Sequence, residues 1–196
     1  IACSRLYVEN SIKDEFMAAL LEVAKAYVPG DPLDPATKMG PMVDKAQLDT
    51  VTRFIESAIA DGATLALGGV PDYQAGKGYY AKPTIFTDAN HEMEFVREEI
   101  FGPVLAVMGF DSEEEAIALA NDSKYGLGAS VWTNDLGRAH RVSRRLESGM
   151  VWVNTWGDGD TTVPFGGVKA SGNGRDKSWH ALEKYTEIKN TWISLK

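Results

Sequence analysis

Along this chain of 196 residues, short apolar runs alternate with longer stretches of helical spacing, and that alternation narrows the fold more than any other feature. Residues 5–8 read as a strand. Ser11 opens a helix carrying Ile12, Phe16, Leu20, Val23 and Tyr27, and Pro29-Gly30-Asp31-Pro32 stops it. Asp44 begins a second helix with Leu48, Val51, Ile55 and Ile59 on one face, which Gly62 ends. Residues 63–67 form a short strand. Residues 79–86 are extended, but Pro83 makes that run irregular or an edge. An apolar strand follows at 104–110, then a helix capped by Asp111 or Ser112 that ends near Asn121. Further segments are a strand at 127–133, a helix at 135–147 stopped by Gly149, a strand at 150–154, a helix at 179–185 and a strand at 187–195. The pattern predicts an α/β fold built on a parallel sheet. The division expected is 1–175 as the main domain and 176–196 as a helix and strand outside the alternation. The last strand, from Glu187 to Leu195, either pairs with another subunit or closes an edge of this domain.

Composition removes several function classes. The net charge of −8 argues against a phosphate-binding basic face, and so against a nucleic-acid partner. The densest acidic run, Glu113-Glu114-Glu115, suits the first turn of a helix. No apolar run nears the roughly 18 residues that span a bilayer. Cys3 is the single cysteine and cannot form an internal disulfide, which points to a reducing cytoplasm. His91, His140 and His180 are far apart, and no His-Glu-x-x-His or Cys-x-x-Cys occurs, so no metal is expected. No Gly-x-Ser-x-Gly elbow supports a serine nucleophile.

Two segments carry chemistry. In Glu98-Glu99-Ile100-Phe101-Gly102-Pro103, the Glu99 carboxylate can accept hydrogen bonds from both hydroxyls of a ribose, and Phe101 offers an aromatic face. On pattern alone this is equally a surface loop. The second segment, Pro164-Phe165-Gly166-Gly167-Val168-Lys169-Ala170-Ser171-Gly172-Asn173-Gly174-Arg175, lacks both Walker spacing and the third glycine of a dinucleotide fingerprint. Ahead of it lies Asn154-Thr155-Trp156-Gly157-Asp158-Gly159-Asp160. Trp156 with Asp158 and Asp160 would suit a cationic substrate through cation–π contact; the alternative is a solvated Gly/Asp turn around a half-buried tryptophan.

Together the two segments resemble the aldehyde dehydrogenase superfamily, over the whole chain. The run Asp158-Gly159-Asp160, with Ser171-Gly172-Asn173-Gly174-Arg175-Asp176-Lys177-Ser178, His180-Ala181-Leu182-Glu183-Lys184 and Trp192-Ile193-Ser194-Leu195, resembles the γ-glutamyl-γ-aminobutyraldehyde dehydrogenase group; betaine-aldehyde and broad-range members share much of it. The resemblance implies NAD- or NADP-dependent oxidation of an aldehyde, specifically an aminoaldehyde from polyamine breakdown, to its acid through a cysteine thioester. It implies that Glu99 grips the nicotinamide-side ribose and that Phe101 and Leu127 pack near the nicotinamide. Gln47 matches a position that touches the cofactor in some members. It assigns the Trp156 loop to the aldehyde entrance, and the strand 187–195 to homo-oligomer assembly.

In that family the nucleophile lies in a Gly-Gln-x-Cys stretch just before a strand like Arg5-Leu6-Tyr7-Val8. It then falls immediately before Ile1, so the expectation is a chain without the catalytic cysteine or the nucleotide-binding domain, inactive alone. Cys3 sits three positions later and is expected to be a buried, inert thiol. Two alternatives are an assembly module without catalysis and an enzyme with Cys3 as unconventional nucleophile.

Overall fold

Side-chain oxygens cap the α-helices that begin after Asp44, Ser112 and Asp135. A computed structural model describes residues 2–196; Ile1, the first residue of the expected main domain, lies outside them. The chain divides into two compact units, Ala2–Asp122 and Ser123–Lys196.

The first unit runs β1 (Arg5–Glu9), α1 (Lys13–Ala24), α2 (Lys45–Ala60), β2 (Thr64–Leu67), β3 (Thr84–Thr87), α3 (Glu94–Arg97), β4 (Val104–Phe110) and α4 (Glu113–Asn121). The Asp44 carboxylate caps α2 by accepting from the Gln47 N–H at 2.8 Å, and the Ser112 hydroxyl caps α4 by accepting from the Glu115 N–H at 3.2 Å. Ahead of α1, Asn10–Ile12 is a 3₁₀ turn without a side-chain cap, so the α-helix starts at Lys13 rather than at Ser11. The four strands lie in the order β1-β4-β3-β2. β4 is parallel to both β1 and β3, whereas β2 runs antiparallel at the edge with a bulge between Leu65 and Leu67. A parallel sheet needs cover, and α2 supplies it with Leu48, Val51, Phe54, Ile55 and Ala58, all buried. Each large apolar side chain so buried contributes about 1.5–3 kcal/mol. Ile59, expected on the same face, is 45% exposed because it falls at the helix end. Phe86 and Phe95 meet edge-on at 5.2 Å within this core.

A polar cluster fastens β1 to the C-terminal end of α4. The Tyr7 hydroxyl donates to the Leu119 carbonyl at 3.0 Å, accepts from Arg5 Nη1 at 3.0 Å and lies 3.1 Å from His91 Nε2. His91 Nδ1 is in turn 2.9 Å from the Asp122 carboxylate. These partners satisfy half-buried groups and occupy carbonyls that a helix terminus leaves open.

The second unit holds β5 (Tyr125–Gly126), β6 (Gly128–Val131), α5 (Leu136–Arg145), β7 (Met150–Val153) and β8 (Val168–Lys169). The Asp135 carboxylate caps α5, which lies within the helix expected at 135–147. The strand expected at 127–133 is β6, shortened to Gly128–Val131 and paired parallel with β7, and a separate β5 just ahead of Leu127 pairs antiparallel with β8. Gly149 permits the close approach this requires, since a Cβ there would sit 1.9 Å from the Gly166 carbonyl oxygen. The terminal expectations change. Trp179–Tyr185 forms a 3₁₀ helix, capped by the Ser178 hydroxyl. Residues 187–195 form no strand with the described residues, and Ile188, Trp192 and Leu195 are exposed. A strand exists only against a partner ladder, and this segment has none among the described residues.

Candidate functional site

The Glu99–Phe101 segment is a turn locked from beneath. α3 ends at Glu98, whose extended backbone turns the chain out, and Ile100 anchors it in the core at 3% exposure. Phe101 adopts φ +51° and leaves its ring 77% exposed. That left-handed backbone costs a non-glycine residue about 1–2 kcal/mol, so other contacts must hold it. Gln47, in the first turn of α2, supplies two of them: its side-chain N–H₂ donates to the Ile100 carbonyl at 2.7 Å and to the Phe101 carbonyl at 3.1 Å. Gly102 supplies the space, because a Cβ there would lie 2.4 Å from a methyl of the buried Val51. The Pro103 carbonyl then accepts from the Thr84 N–H at 2.8 Å and joins the turn to β3. The result is an exposed carboxylate at Glu99 near an exposed aromatic ring on a backbone held in place. This pair fits one sugar-and-base half of a dinucleotide: acceptors for the hydroxyls, a flat face for the ring. Gln47 spends its donors on the turn, so its structural role is to position Phe101.

In the second unit, the loop after β7 is equally constrained. Asn154, at φ +55°, accepts from the Thr133 N–H at 2.8 Å and donates back to the Thr133 carbonyl at 2.9 Å. Ser130 holds the next carbonyl, that of Thr155, at 2.7 Å. Trp156 is half-buried against Trp152, with ring centroids 5.4 Å apart. The Trp152 indole N–H donates to the Asp158 carbonyl at 2.6 Å, and the Thr155 hydroxyl donates to the Asp158 carboxylate. The Asp160 carboxylate accepts from the Thr162 N–H at 2.7 Å. That bond, the Thr162 hydroxyl and the nearby Lys177 ammonium hold its pKa below the ordinary carboxylate value.

Of these residues, Trp152, Asp158 and Asp160 line a cleft of about 250 Å³, together with Val163, Phe165 and Lys177; Trp156 lies outside that lining. Lys177 was not singled out by sequence reasoning, although it stands inside the 171–178 signature. It is delivered by backbone pairing: Phe165 and Asp176 exchange N–H···O bonds of 2.8 and 2.6 Å, and the Ser178 N–H donates to the Thr161 carbonyl at 2.8 Å. Between these anchors Lys177 takes φ +58°, and its ammonium lies 5.4 Å from the Phe165 ring centre.

Leu127 is half-buried at the switch from β5 to β6, where its carbonyl accepts from the Met150 N–H at 3.1 Å. Cys3, expected to be buried, is exposed because it precedes the first rung of β1. Its thiol donates to the Arg5 carbonyl at 3.3 Å, and desolvation around the sulfur pushes its pKa up, which opposes thiolate formation. Among the described residues no cluster of His, Cys, Asp or Glu could hold a metal ion, and no helix is long and apolar enough to cross a membrane.

The α/β sheet of the first unit thus presents an acid–aromatic turn, and the second unit holds a charged cleft lined by Trp152. The sequence profile of the aldehyde dehydrogenase family matches residues 1–191. The chain belongs to that family. It is 57% identical over 195 residues to the NADP/NAD-dependent aldehyde dehydrogenase PuuC of Escherichia coli K12, covering all of this chain and 39% of that protein. A betaine aldehyde dehydrogenase of Rhizobium johnstonii is 49% identical over 98% of this chain and 40% of its own length. Among solved structures, the indole-3-acetaldehyde dehydrogenase AldA of P. syringae, in complex with NAD+ and IAA, superposes with a TM-score of 0.93 at 54% identity, over 98% of this chain and 39% of that one. The γ-glutamyl-γ-aminobutyraldehyde dehydrogenase of Burkholderia cenocepacia does so with 0.92 at 52%, with the same coverage. The chain thus spans about two fifths of the relatives it matches.

Proposed function

We propose that this chain serves NAD- or NADP-dependent oxidation of an aminoaldehyde, such as γ-glutamyl-γ-aminobutyraldehyde, to its carboxylic acid. The observation that carries the reading is the likeness over 98% of the chain to an enzyme of that name, at 52% identity. The locked turn supports the cofactor part. Glu99 accepts hydrogen bonds from ribose hydroxyls, Phe101 and Leu127 offer apolar contact for the nicotinamide, and Gln47 holds the turn in shape. When bound, the nicotinamide cofactor accepts the hydride removed from the aldehyde carbon. Trp156, Asp158 and Asp160 contact the substrate's cationic part, the tryptophan through its π face and the aspartates through their free lone pairs. Residues 1–175 act as catalytic-domain structure in this reading, while 176–196 assemble a homo-oligomer by pairing the segment from Glu187 to Leu195 with another subunit in the cytoplasm.

The 49% likeness to a betaine aldehyde dehydrogenase favours a second reading, in which the substrate carries a permanent cation. The test is steady-state turnover by the full-length protein with an ω-aminoaldehyde and an uncharged aldehyde of equal length. The aminoaldehyde is expected to have the higher kcat/KM, and Trp156→Ala to lower it about tenfold, matching ~0.5–2 kcal/mol of cation–π contact. Equal values for the two aldehydes would discard the aminoaldehyde assignment.

A further inference from the structure

The cleft in the second unit contains both signs of charge. Asp158 and Asp160 stand on the 154–160 loop, and Lys177 faces the same cleft from the segment after Arg175. The Asp158 carboxylate already accepts from the Thr155 hydroxyl, and the Asp160 carboxylate from the N–H and hydroxyl of Thr162. A carboxylate has about four acceptor sites, so both keep capacity for a ligand. The Lys177 ammonium has three donors and lies over the Phe165 ring.

The anchoring of Lys177 is unusual for a solvated surface lysine. Its φ of +58° is a conformation that glycine or asparagine adopts at lower cost, and it is followed by Ser178 at +53°. The flanking Phe165–Asp176 and Ser178–Thr161 hydrogen bonds clamp the backbone so that this side chain meets the cleft. Strained residues held by over-determined surroundings concentrate at ligand sites.

A purely cationic ligand would be repelled by Lys177, and a purely anionic one by the two aspartates. A group carrying both charges on neighbouring atoms satisfies all three. At about 250 Å³ the cleft is smaller than the roughly 300–1,000 Å³ of a drug-sized pocket, so it suits one end of a ligand. A group that carries both charges is not the aldehyde itself, so the end the cleft takes is the one that does not react.

We propose that Lys177, opposite Asp158 and Asp160, makes this cleft a subsite for a zwitterionic α-amino-carboxylate group at the end of the substrate remote from its aldehyde. Lys177 binds the carboxylate, and the aspartates bind the ammonium. The inference rests on the aldehyde dehydrogenase reading above and narrows its substrate class. A γ-glutamyl-type aminoaldehyde carries such a group; a simple ω-aminoaldehyde or betaine aldehyde carries only the cation.

The test compares Lys177→Met, which keeps the stem and removes the charge, with Lys177→Arg, which restores it, in the full-length protein. With γ-glutamyl-γ-aminobutyraldehyde, Lys177→Met is expected to raise KM about tenfold at unchanged kcat, as loss of one charge-assisted contact predicts, and Lys177→Arg to recover most of it. With 4-aminobutyraldehyde, KM is expected to stay level or fall. Equal changes for the two aldehydes, or none, would overturn the subsite. Calorimetric titration with the acid γ-glutamyl-γ-aminobutyrate, against 4-aminobutyrate, reads binding without turnover. If the unsubstituted protein oxidises no aldehyde, the dehydrogenase reading fails. The subsite then stands on selective weakening of the first acid in Lys177→Met, and falls without it.

Discussion

Replacing Gln47 by alanine tests whether the cofactor turn is held from beneath. The substitution removes the donors to the Ile100 and Phe101 carbonyls, bonds of 2.7 and 3.1 Å. Alanine keeps the helix propensity of α2 and leaves the Asp44 cap intact, since that cap uses the Gln47 backbone N–H. Each intramolecular hydrogen bond contributes about 0.5–1.5 kcal/mol net. The Phe101 carbonyl can turn to water in the variant, whereas the carbonyl of buried Ile100 is less free to do so, which puts the total at about 1–2 kcal/mol. The left-handed Phe101 backbone adds a stored cost that favours opening once the clamp is gone. Hydrogen exchange should therefore quicken about 5–30-fold at amides 99–102, with other amides of α2 unchanged. In the full-length protein the cofactor KM should rise by a similar factor while kcat holds, because a disordered turn loses binding in ground and transition states alike. Unchanged exchange at 99–102 would refute the clamp. Faster exchange with an unchanged cofactor KM would refute the link between this turn and the cofactor.

Glu99→Gln should raise the cofactor KM about tenfold by weakening charge-assisted acceptance of the ribose hydroxyls, with the thermal midpoint unmoved because Glu99 is exposed; an unchanged KM would remove Glu99 from the site. Tyr7 tests the polar cluster. Burial pushes its hydroxyl up to about 12, with the Arg5 charge opposing. The folded pKa thus exceeds the unfolded value of about 10, so the neutral phenol's contribution is full below pH ~10 and is lost as pH rises toward ~12. Urea titrations across that range should show a shallower alkaline loss of stability in Tyr7→Phe than in the unsubstituted protein. Identical alkaline slopes would contradict the burial argument.

What the sequence discloses depends on how local the deciding physics is. The helix starts at Asp44 and Asp135, and a cap at Asp111 or Ser112, were readable because a cap involves only the next three residues. The apolar face of α2 and the strand at 104–110 were readable from period alone. β5 was not, because it exists through pairing with β8 more than forty positions away, a pairing that no window of neighbouring residues contains. The terminal segment 187–195 has the composition of a strand, yet composition cannot supply the ladder that makes it one. Cys3 was misjudged because its burial turns on two residues of register ahead of β1. The turn that exposes Glu99 and Phe101 was legible from one hexapeptide, whose Gly102-Pro103 marks it. Lys177 was not, since its approach to the Asp160 loop is set by the Ser178–Thr161 and Phe165–Asp176 hydrogen bonds, and a lone lysine in a Gly-rich stretch carries no signal of its own. The inward role of Gln47 was hidden for the same reason: its partners lie more than fifty residues along the chain.

The most direct test of the account is the stoichiometry of reduced cofactor to acid formed when the full-length protein meets γ-glutamyl-γ-aminobutyraldehyde and NAD+ or NADP+. The account predicts one reduced nicotinamide for each γ-glutamyl-γ-aminobutyrate produced. Cofactor that stays oxidised with this aldehyde and with simpler ones, by a folded full-length protein, would contradict it.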